Sequence, residues 1–360
     1  MSDIHVVVLA AGKGTRMKSA VPKVLHRIAG RPLIGHVLAS AHALAPATTT
    51  VVVGHQGSDV TEALSTQPGL SFVVQEPQLG TAHALLMAEP ALAGRRGTVV
   101  LLSGDVPLLR PQTLHSLVDR HHATGAATTV LTAVVDRPTG YGRIVRSGGQ
   151  IAGIVEEKDA SEAEREIREI NAGIYAFDLD GLFDAVRAIA SENAQREYYL
   201  PDLVGIHRRA GRVVETLALG DPREILGINT RAELARLGAL YRMTKNEQLM
   251  ADGVTLTDPA TTYVDADVVV GADTILEPGV SLERGTTVGR GCHIQDGAFI
   301  GSDTQLIAPV TIGRGAYVGT GTTVREDVPP DALAVSAGKQ RNIDGWVSAK
   351  RARASRGRTK

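Results

Sequence analysis

Residues 293–310 read His293-Ile294-Gln295-Asp296-Gly297-Ala298, Phe299-Ile300-Gly301-Ser302-Asp303-Thr304 and Gln305-Leu306-Ile307-Ala308-Pro309-Val310, three groups of six with an aliphatic residue in second place. Counting in sixes from Tyr263, the second place is always aliphatic: Val264, Val270, Leu276, Leu282, Val288, Ile294, Ile300, Leu306, Ile312, Val318 and Val324. An α-helix, with 3.6 residues per turn, cannot keep this spacing on one face. The period of six predicts a short strand and a turn, repeated and stacked so that the aliphatic side chains fill the interior.

This repeat resembles the left-handed parallel β-helix of hexapeptide-repeat proteins, in which three hexads make one coil. Glycines recur at or near the turns, for example Gly279, Gly285 and Gly291. The hexads from Tyr263 make fewer than four coils, and so short a β-helix leaves a long flank that something must cover. The resemblance implies that the cover is a second and third copy of the chain, in a homotrimer.

Composition excludes several classes of protein. Hydrophobic residues make up 43% and charged residues 21% of the 360 residues, which is enough apolar material for two domains, or three. The net charge of −1 gives no electrostatic reason to expect nucleic acid as a partner. The single cysteine, Cys292, excludes an intrachain disulfide framework and fits a reducing cytoplasm. No apolar run is long enough to span a membrane, so we expect no membrane partner.

The first half of the chain alternates strand-like and helix-like segments. Short Val- and Leu-rich runs predict strands at residues 6–10, 50–54, 71–75, 98–103 and 128–135, and amphipathic stretches predict helices at 33–44 and 113–122. Buried strands separated by helices indicate an α/β domain of Rossmann-like type, a mostly parallel sheet with helices on both faces. Ligands of such sheets bind beyond the carboxyl ends of the strands.

The change of pattern near residue 250 suggests the domain organisation. Thr230 and Glu233 have capping-box spacing, and an apolar stripe follows them, so residues 230–250 read as a helix that either connects two domains or belongs to the surface of the first. We therefore predict a first domain at 1–229, a helical linker at 230–250, a β-helix at 251–347 and a basic disordered tail at 348–360.

The loop after the first predicted strand reads Leu9-Ala10-Ala11-Gly12-Lys13-Gly14-Thr15-Arg16-Met17. Glycines at a strand end let backbone N–H groups approach a triphosphate, and cations neutralise its charge. The glycine spacing excludes a Walker A loop, and Met17 excludes a dinucleotide fingerprint, which needs a small residue there. Because Pro22 and Lys23 follow, the combination G-x-G-T-R…P-K resembles the signature of sugar-1-phosphate nucleotidyltransferases.

A carboxylate stands at the end of another predicted strand, in Gly104-Asp105-Val106-Pro107. Mg²⁺ prefers oxygen ligands and retains several waters, so one carboxylate and one carbonyl oxygen would be enough protein to hold it. Asp105 is therefore the candidate metal ligand, although an Asp that caps a turn would look the same in isolation.

Further motifs resemble those of one bacterial family. The segments that carry this resemblance are Gln75…Leu79-Gly80-Thr81-Ala82-His83-Ala84, Thr139-Gly140-Tyr141-Gly142-Arg143, Ile154-Val155-Glu156-Glu157-Lys158, Glu169-Ile170-Asn171-Ala172-Gly173 and Gly227-Ile228-Asn229-Thr230-Arg231. Their order is similar to that in the bifunctional N-acetylglucosamine-1-phosphate uridylyltransferase / glucosamine-1-phosphate acetyltransferase family, over nearly all of residues 4–347. The resemblance implies UTP and N-acetylglucosamine 1-phosphate as substrates, UDP-N-acetylglucosamine and pyrophosphate as products, and Mg²⁺ as the cofactor.

The same resemblance implies the site residues. It gives a nucleotide-binding set of Leu9, Ala10, Ala11, Gly12, Gly14, Gln75, Gly80, Thr81, Ser103 and Gly104. It gives Arg16 and Lys23 as the catalytic cations, Gly140, Glu156, Asn171 and Asn229 as sugar-binding residues, and Asp105 with Asn229 as metal ligands. The attacking phosphate is already ionised at pH 7, so we expect electrostatic and positional catalysis without a general base.

The sequence departs from this family in its second half. The family's acetyl-transfer stretches, a His-Leu-Thr-Tyr segment and an Asn-Tyr-Asp-Gly loop among them, do not occur after Met250. The only histidine there is His293, which we interpret as a surface residue of the repeat. The segment Gly301–Val310 matches the family's terminal coils and follows directly in the six-residue phase. A block of whole hexads is therefore missing, and we expect no acetyltransferase activity.

Three alternatives stay open at this point. A nucleotidyltransferase of other nucleotide or sugar specificity would share the G-x-G-T-R…P-K loop, although Gln75 and Gly80-Thr81 argue against it. A hexapeptide-repeat acyltransferase would rest on the hexads alone and would lack a base. A non-catalytic scaffold on the same two domains should have lost the phosphate loop or the aspartate, and this chain retains both.

Overall fold

The computed structural model describes residues 3–336, which form two compact units that divide between Tyr241 and Arg242. The basic tail predicted at 348–360 and the end of the predicted β-helix domain, 337–347, lie outside the described residues. The boundaries predicted at residues 229 and 250 remain predictions. The division between the two compact units falls inside one long helix that occupies the predicted linker.

The first unit contains eleven strands among its described residues. They are β1 Ile4–Ala10, β2 Arg27–Ile28, β3 Arg31–Pro32, β4 Thr48–Val53, β5 Leu70–Val74, β6 Thr98–Ser103, β7 Thr128–Val134, β8 Arg143–Ser147, β9 Gln150–Val155, β10 Glu169–Asp178 and β11 Val214–Ala218. The helices are α1 Leu33–His42, α2 Gly57–Leu64, α3 Thr81–Leu86, α4 Glu89–Leu92, α5 Pro111–Thr124, α6 Glu162–Arg165, α7 Leu182–Arg187, α8 Asp202–Arg209 and α9 Arg231–Ala251. Short 3-10 helices lie at Thr15–Met17, Lys23–Leu25 and Pro222–Ile225.

The main sheet has the order β11-β7-β10-β6-β1-β4-β5, with β8 and β9 attached beside β10. Its pairs β1–β4, β1–β6, β4–β5 and β7–β11 are parallel, as the sequence predicts. Strand β10 runs antiparallel between β6 and β7, and β8 and β9 form an antiparallel hairpin. The five strands predicted from their apolar runs are confirmed, whereas β8 to β11 were not foreseen.

Helices cover both faces of this sheet because successive residues of a buried strand point to opposite sides. Val6 and Val8 of β1 belong to a core built with α1, α2 and α5. Val7 lies between them in the chain but belongs to a second core, built with α3, α7 and α8. The carboxyl ends of β1 and β6 meet at one edge, since Leu9 pairs with Ser103. That edge carries the loops that contain the predicted site.

Helix α9 begins as its capping-box spacing predicts. The backbone N–H of Glu233 donates to Thr230 Oγ1 at 3.2 Å, and the N–H of Thr230 donates to Glu233 Oε2 at 2.9 Å. Leu237 packs in an apolar cluster of the first unit, and Leu249 packs in the core of the second. No helix within residues 3–336 is long and apolar enough to cross a membrane.

The second unit is a short left-handed parallel β-helix. Its two-residue strands are β12 Thr255–Leu256, β13 Tyr263–Val264, β14 Val269–Val270, β15 Ile275–Leu276, β16 Ser281–Leu282, β17 Thr287–Val288, β18 His293–Ile294, β19 Phe299–Ile300, β20 Gln305–Leu306, β21 Thr311–Ile312, β22 Tyr317–Val318, β23 Thr323–Val324 and β24 Leu333–Ala334. They form three sheets, and Leu276 pairs with Ile294, three hexads further along. Each predicted aliphatic position is buried inside the coil. The strand Thr255–Leu256 adds a rung that the hexad count from Tyr263 does not include.

Candidate active site

The loop after β1 owes its course to a glycine. Gly14 has a φ of 59°, and a Cβ placed on it would lie 2.8 Å from Cβ of Lys23. Any other residue at position 14 would be strained in this conformation and would push against the lysine stem. Gly14 therefore allows the loop Gly12–Met17 to lie against Lys23, as its predicted place in the nucleotide-binding set requires.

Gln78 and Gly54, which no sequence motif marks, also contact the loop after β1. Gln78 Nε2 donates a hydrogen bond to the carbonyl oxygen of Ala11. A Cβ on Gly54, at the end of β4, would lie 2.8 Å from that oxygen and 2.4 Å from Gln78 Nε2. The carboxyl end of β4 thus comes so close to the phosphate loop that only glycine fits, a constraint that no local motif reveals.

Four polar side chains from three distant segments meet at the centre of the candidate site. Lys23 Nζ donates to Asp105 Oδ2 at 2.6 Å and to Asn229 Oδ1 at 3.3 Å. Arg16 Nη2 donates to the same Asn229 oxygen at 3.0 Å. The side chains of Lys23 and Asp105 are 15% and 18% exposed, so this ion pair is largely buried but still accessible from the surface. The structure thus brings both predicted catalytic cations together with both predicted metal ligands.

Asp105 is fixed by the backbone on both sides of it. The N–H of Gly104 donates to the carbonyl oxygen of Leu9 at 2.9 Å, which continues the pairing of β6 with β1. The N–H of Ile228 donates to the carbonyl oxygen of Asp105 at 3.2 Å. These bonds bring the segment before α9 to the end of β6, and this explains why Asn229 reaches the cluster from so far along the chain.

Gln75 is buried, with 5% of its surface exposed, at the end of β5. Its Nε2 donates to the carbonyl oxygen of Gly80 at 2.9 Å and lies 3.2 Å from Nδ1 of His83. The amide nitrogen thus faces α3. The amide oxygen of Gln75 accepts no hydrogen bond from any of residues 3–336.

Gly80 is a third position, after Gly14 and Gly54, at which only glycine fits. Its φ is 112°, and an added Cβ would lie 2.6 Å from the carbonyl oxygen of Tyr198. Thr81 Oγ1 accepts a hydrogen bond from the N–H of Leu200 at 3.0 Å. The segment around Tyr198 therefore holds Gly80 and Thr81 in place. No local motif predicts this contact, because the two segments are more than a hundred residues apart in the chain.

A cavity of about 460 Å³ opens at this edge of the sheet, a volume typical of small-molecule sites. Its lining is Leu9, Ala10, Ala11, Gly12, Lys13, Lys23, Val24, Gln75, Gln78, Gly80, Thr81, Ala84, Ser103, Asp105 and Glu197. Most of the predicted nucleotide-binding residues are on this list. Gly14 and Gly104 are not, and act on the cavity through the packing described above.

The predicted sugar-binding residues lie outside that lining. Asn171 is 8% exposed, and its Nδ2 donates to the hydroxyl of Tyr175 at 2.7 Å, while its backbone N–H donates to Gly142 at 2.9 Å. A Cβ on Gly142 would lie 3.2 Å from Oε1 of Glu156. Asn171 and Glu156 thus both lie next to Gly142. Burial raises the pKa of Glu156 above its ordinary value, and the negative charges of Asp159 and Asp202 raise it further.

The loop that contains Gly140 connects this region with the charged cluster. The N–H of Gly140 donates to Glu157 Oε2 at 3.1 Å, and Glu157 pairs with the buried guanidinium of Arg143 at 2.7 Å. Burial raises the pKa of the next residue, Tyr141, with further contributions from the charges of Glu233 and Asp105. Tyr141 therefore lies within electrostatic range of Asp105, and its phenol stays protonated at neutral pH.

The donor atoms at the cluster fit a hard divalent cation. A carboxylate oxygen of Asp105 and the amide oxygen of Asn229 already converge on one cation, the ammonium of Lys23. Within residues 3–336, no group of three or more His, Cys, Asp or Glu side chains forms a metal-binding cluster. A metal ion at this site would therefore depend on two protein oxygens, with water and substrate completing its coordination, which is the usual arrangement for Mg²⁺.

The β-helix contributes no comparable cluster around its one histidine. His293 lies on the outer side of β18, with 38% of its side chain exposed, and its Nε2 is 3.1 Å from Glu277 Oε1. Its neighbours in the same sheet are Ile275 and Thr311. Its partial exposure and its surroundings fit the surface role that the sequence predicts.

The comparisons with known proteins agree with this organisation. Residues 6–221 match the family model of the MobA-like NTP transferase domain. Residues 291–326 match the model of the bacterial transferase hexapeptide, six repeats. A crystal structure of a putative glucose-1-phosphate thymidylyltransferase from Bacillus anthracis, in complex with a sucrose, superimposes with a TM-score of 0.54 at 20% identity, over 66% of this chain and 95% of that one. At this identity the likeness concerns the fold alone.

Relatives called bifunctional protein GlmU match most of the chain. The one from Syntrophotalea carbinolica is 50% identical over 268 residues, 74% of this chain and 57% of the relative. The one from Geobacter metallireducens is 43% identical over 305 residues, 84% of this chain and 64% of the relative. The one from Trichlorobacter lovleyi is 38% identical over 98% of this chain and 99% of the relative. This chain therefore spans less than two thirds of the length of the first two relatives.

Fold, site and comparisons together define a nucleotidyltransferase domain joined to a hexapeptide-repeat β-helix. Within that class, the chain belongs to the bifunctional GlmU family.

Proposed function

We propose that this protein transfers UMP from UTP to N-acetylglucosamine 1-phosphate, giving UDP-N-acetylglucosamine, a precursor of the bacterial cell wall, and pyrophosphate. The observation that carries the proposal is the convergence of Lys23, Arg16, Asp105 and Asn229 beside a cavity lined by the phosphate loop. Membership of the family supports nucleotide and sugar-phosphate substrates and a divalent metal ion, for which we propose Mg²⁺.

The reaction brings two anions together, and the cations of this site offset their repulsion. The sugar phosphate attacks the α-phosphorus of UTP, and pyrophosphate departs. The ammonium of Lys23 lines the cavity, and the guanidinium of Arg16 reaches the same cluster through Asn229. We expect both cations to stabilise the charge that builds up on the phosphate oxygens. The phosphate nucleophile is already ionised, so no side chain has to take a proton from it, and Glu156 acts as a hydroxyl-binding residue.

Mg²⁺, held by Asp105 and Asn229, would supply a further positive charge to the triphosphate. The proposal implies that Lys23 gives up its present contact with Asp105 when substrate binds, because the carboxylate is one of the proposed metal ligands. Its ammonium is then available to a phosphate group.

Base selection follows from the orientation of Gln75. Its amide oxygen is available as an acceptor, and uracil presents an N–H donor at N3 where cytosine presents an acceptor. Gly80 and Thr81 face the same cavity and complete the base-binding wall. Thymine has the same N3–H donor, so discrimination against thymidine nucleotides would depend on the space around its methyl group.

We further propose that the acetyl-transfer activity of the family is absent. The alignment with the Trichlorobacter lovleyi relative covers 457 positions, more than the 360 residues of this chain, so many positions of that relative have no counterpart here. His293 is the one histidine of the β-helix, and it pairs with Glu277 on the outer side of a strand. Acetyl transfer to an amine needs a base in hydrogen-bond reach of the substrate, and the His-Leu-Thr-Tyr stretch in which the family carries its base does not occur in this sequence.

The hexapeptide repeats support self-association, and we propose a homotrimer assembled through the β-helix. A cytoplasmic location is also a proposal. It is supported by the one cysteine of the chain, Cys292, which is buried and free.

The proposed function is tested by measuring pyrophosphate release with a panel of UTP, dTTP, CTP, ATP and GTP against glucose, glucosamine and N-acetylglucosamine 1-phosphates. We expect UTP with N-acetylglucosamine 1-phosphate to have the highest kcat/KM. A preference for dTTP and glucose 1-phosphate would favour the alternative specificity. A parallel assay of thiol release from acetyl-CoA with glucosamine 1-phosphate, run beside a full-length GlmU, should show no activity above background. Turnover that His293→Ala abolishes would refute the proposed loss.

A further inference from the structure

A second cavity of about 520 Å³ lies at the edge of the sheet formed by β11. Four of its lining residues are arginines, contributed by α5, the β8–β9 hairpin, α8 and the loop before β11. The lining is Arg120, Arg146, Gly149, Gln150, Ile151, Arg208, Gly211, Arg212, Val213, Val214, Glu215 and Thr216. None of these residues lines the cavity of the candidate active site.

The pairing of the strands shows that the two cavities are separate. Val214 pairs with Thr128, and Thr128 pairs with Phe177, which in turn pairs with Val99. Val214 is therefore level with the start of β6, whereas the active-site cavity lies at its end, beyond Ser103. A strand rises about 3.3 Å per residue, so the amino end of β11 is about one strand length away from the active-site edge of the sheet.

Three of the four arginines have carboxylate partners. Arg120 pairs with Glu215 at 2.8 Å, which also faces the cavity. Arg146 pairs with Glu169 at 2.6 Å. The third pair, Arg212 with Asp178, has a separation of 2.9 Å, and these three arginine side chains are between 33% and 48% exposed. Each guanidinium is thus held in one orientation and still faces solvent through the cavity.

Arg208 differs from the other three. Its Nη1 donates to the carbonyl oxygen of Ile151 at 2.5 Å and lies 3.5 Å from Gln150 Oε1. Among the residues that the structure describes, no carboxylate lies within salt-bridge distance of it. Four guanidinium groups therefore line the cavity, and only three of them have a carboxylate partner. The cavity has one positive charge that the protein does not neutralise, on a side chain fixed by neutral acceptors.

We propose that this cavity, which we call the arginine pocket, binds a small metabolite that carries a phosphate or diphosphate group. Planar guanidinium groups match phosphate oxygens in geometry, and charge-assisted hydrogen bonds of this kind are stronger than neutral ones. The volume is in the range of small-molecule sites and exceeds what a bare phosphate ion requires. The backbone at Gly149 and Gly211 leaves the rim open, since an added Cβ at either position would meet nothing within 4 Å.

The pocket can be tested by calorimetric titration with inorganic pyrophosphate in EDTA-containing buffer, where the active site has no divalent ion to help it bind. We expect one binding event that Arg208→Gln weakens by about tenfold or more, the loss typical of one charge-assisted contact. Arg208→Lys keeps the charge but loses the planar fork, and we expect an intermediate loss. Lys23→Ala alters the active site and should leave this event unchanged.

Arg209→Gln is the matched control, because Arg209 is the next residue of the same helix, is exposed, and does not line the pocket. It should bind pyrophosphate as the unmodified protein does. Equal affinity in Arg208→Gln and the unmodified protein would overturn the proposal. If Arg208→Gln and Arg209→Gln weakened pyrophosphate binding equally, the proposal would also be overturned. That result would mean that pyrophosphate responds to the overall surface charge and not to the arginine pocket. The thermal unfolding temperature of each variant is measured as well, so that a loss of pyrophosphate affinity caused by misfolding can be recognised.

Discussion

Among the single residues of the site, Lys23 has the central position, because it contacts both proposed metal ligands. An ammonium in this place can neutralise Asp105 before substrate arrives and can stabilise phosphate charge afterwards. Its position is fixed by Gly14, which packs against its stem, and by the 3-10 helix Lys23–Leu25. Such preorganised charge contributes to catalysis without reorganisation during the reaction.

Lys23→Ala should therefore lower kcat for pyrophosphate release by about a hundredfold or more, and Arg16→Ala should do the same. Steady-state kinetics at saturating UTP measures the effect. Arg95→Ala is the control, because Arg95 is exposed before the start of β6, at the other end of the strand that leads to Asp105. A normal kcat with a raised KM would mean that Lys23 and Arg16 only bind substrate.

Gly80 allows a separate test of the base-binding wall. Gly80→Ala places a Cβ 2.6 Å from the carbonyl oxygen of Tyr198, so the wall must move, and we expect KM for UTP to rise severalfold. Gly94→Ala is the matched control: Gly94 also has a positive φ, of 72°, but its added Cβ would meet nothing within 4 Å. An alanine is strained at both positions because φ is positive at each, and more strongly at Gly80, whose ψ is 178°. If they raise KM equally, the contact with Tyr198 has no part in nucleotide binding.

Among the secondary-structure elements, α5 and α8 each carry a buried histidine that we expect to make the first unit sensitive to acid. His121 of α5 lies 3.0 Å from Thr129 Oγ1, and His207 of α8 lies 2.7 Å from Thr128 Oγ1. Burial lowers the pKa of each to about 4, below the ordinary value of 6.5. The unfolded chain gains these protons as the pH falls through 6.5, whereas the folded protein gains them only near pH 4. The free energy of unfolding must therefore decrease between these two values.

We expect the urea midpoint of unfolding to be lower at pH 5 than at pH 7, and the difference to shrink in His207→Asn. Asparagine can keep the bond to Thr128 and does not titrate. His115→Asn, at an exposed position of α5, is the control and should retain the full pH dependence. The buried histidines would have no role in acid sensitivity if all three proteins behaved alike.

Elements differed in how well the sequence predicted them, for physical reasons. The hexads could be predicted because the second residue of each hexad is buried in one continuous core, and every coil repeats that requirement. The rung at Leu256 was missed because eight residues, not six, separate it from Val264. Strand β8, with the sequence Arg-Ile-Val-Arg-Ser, and the partly exposed β11 lack the continuous apolar run that marks a buried strand.

The site was predictable to the extent that local motifs encode it. The glycine-rich loop, Lys23 and Asp105 lie where strand ends place them, and the structure brings them to one cavity. Gln78 and the segment around Tyr198 were missed, because their roles depend on contacts between segments far apart in the chain. The arginine pocket was not foreseen for the same reason, since its four cations come from four separate elements.

At the scale of the whole molecule, the β-helix carries apolar residues on its outer surface. Tyr263, Tyr317 and Leu333 are 52%, 56% and 68% exposed, and all three belong to the sheet β13-β16-β19-β22-β24. Phe299 of the same sheet stacks on Tyr317 with ring centroids 5.2 Å apart. A row of exposed apolar side chains along one sheet, here called the apolar ladder, is typical of a surface that another chain covers.

Sedimentation velocity at micromolar concentration should show a trimer. We expect Tyr317→Lys to shift the protein toward the monomer, because it places a charge in the middle of the apolar ladder. Thr287→Lys, at an exposed position of the sheet β14-β17-β20-β23, is the control for added charge. A monomeric unmodified protein would contradict the proposed assembly and would indicate that the missing coils carry the interface in longer relatives.

The proposed Mg²⁺-dependent uridylyl transfer can be tested by detecting its two products. The purified protein is incubated with UTP and N-acetylglucosamine 1-phosphate, and the phosphorus NMR spectrum is followed over time. We expect UDP-N-acetylglucosamine and pyrophosphate to appear in equal amounts with Mg²⁺ present, and excess EDTA or the substitution Asp105→Ala to stop both. Product formation that continues in EDTA would contradict the proposed role of Asp105 and Asn229, and no product with Mg²⁺ present would contradict the proposed function.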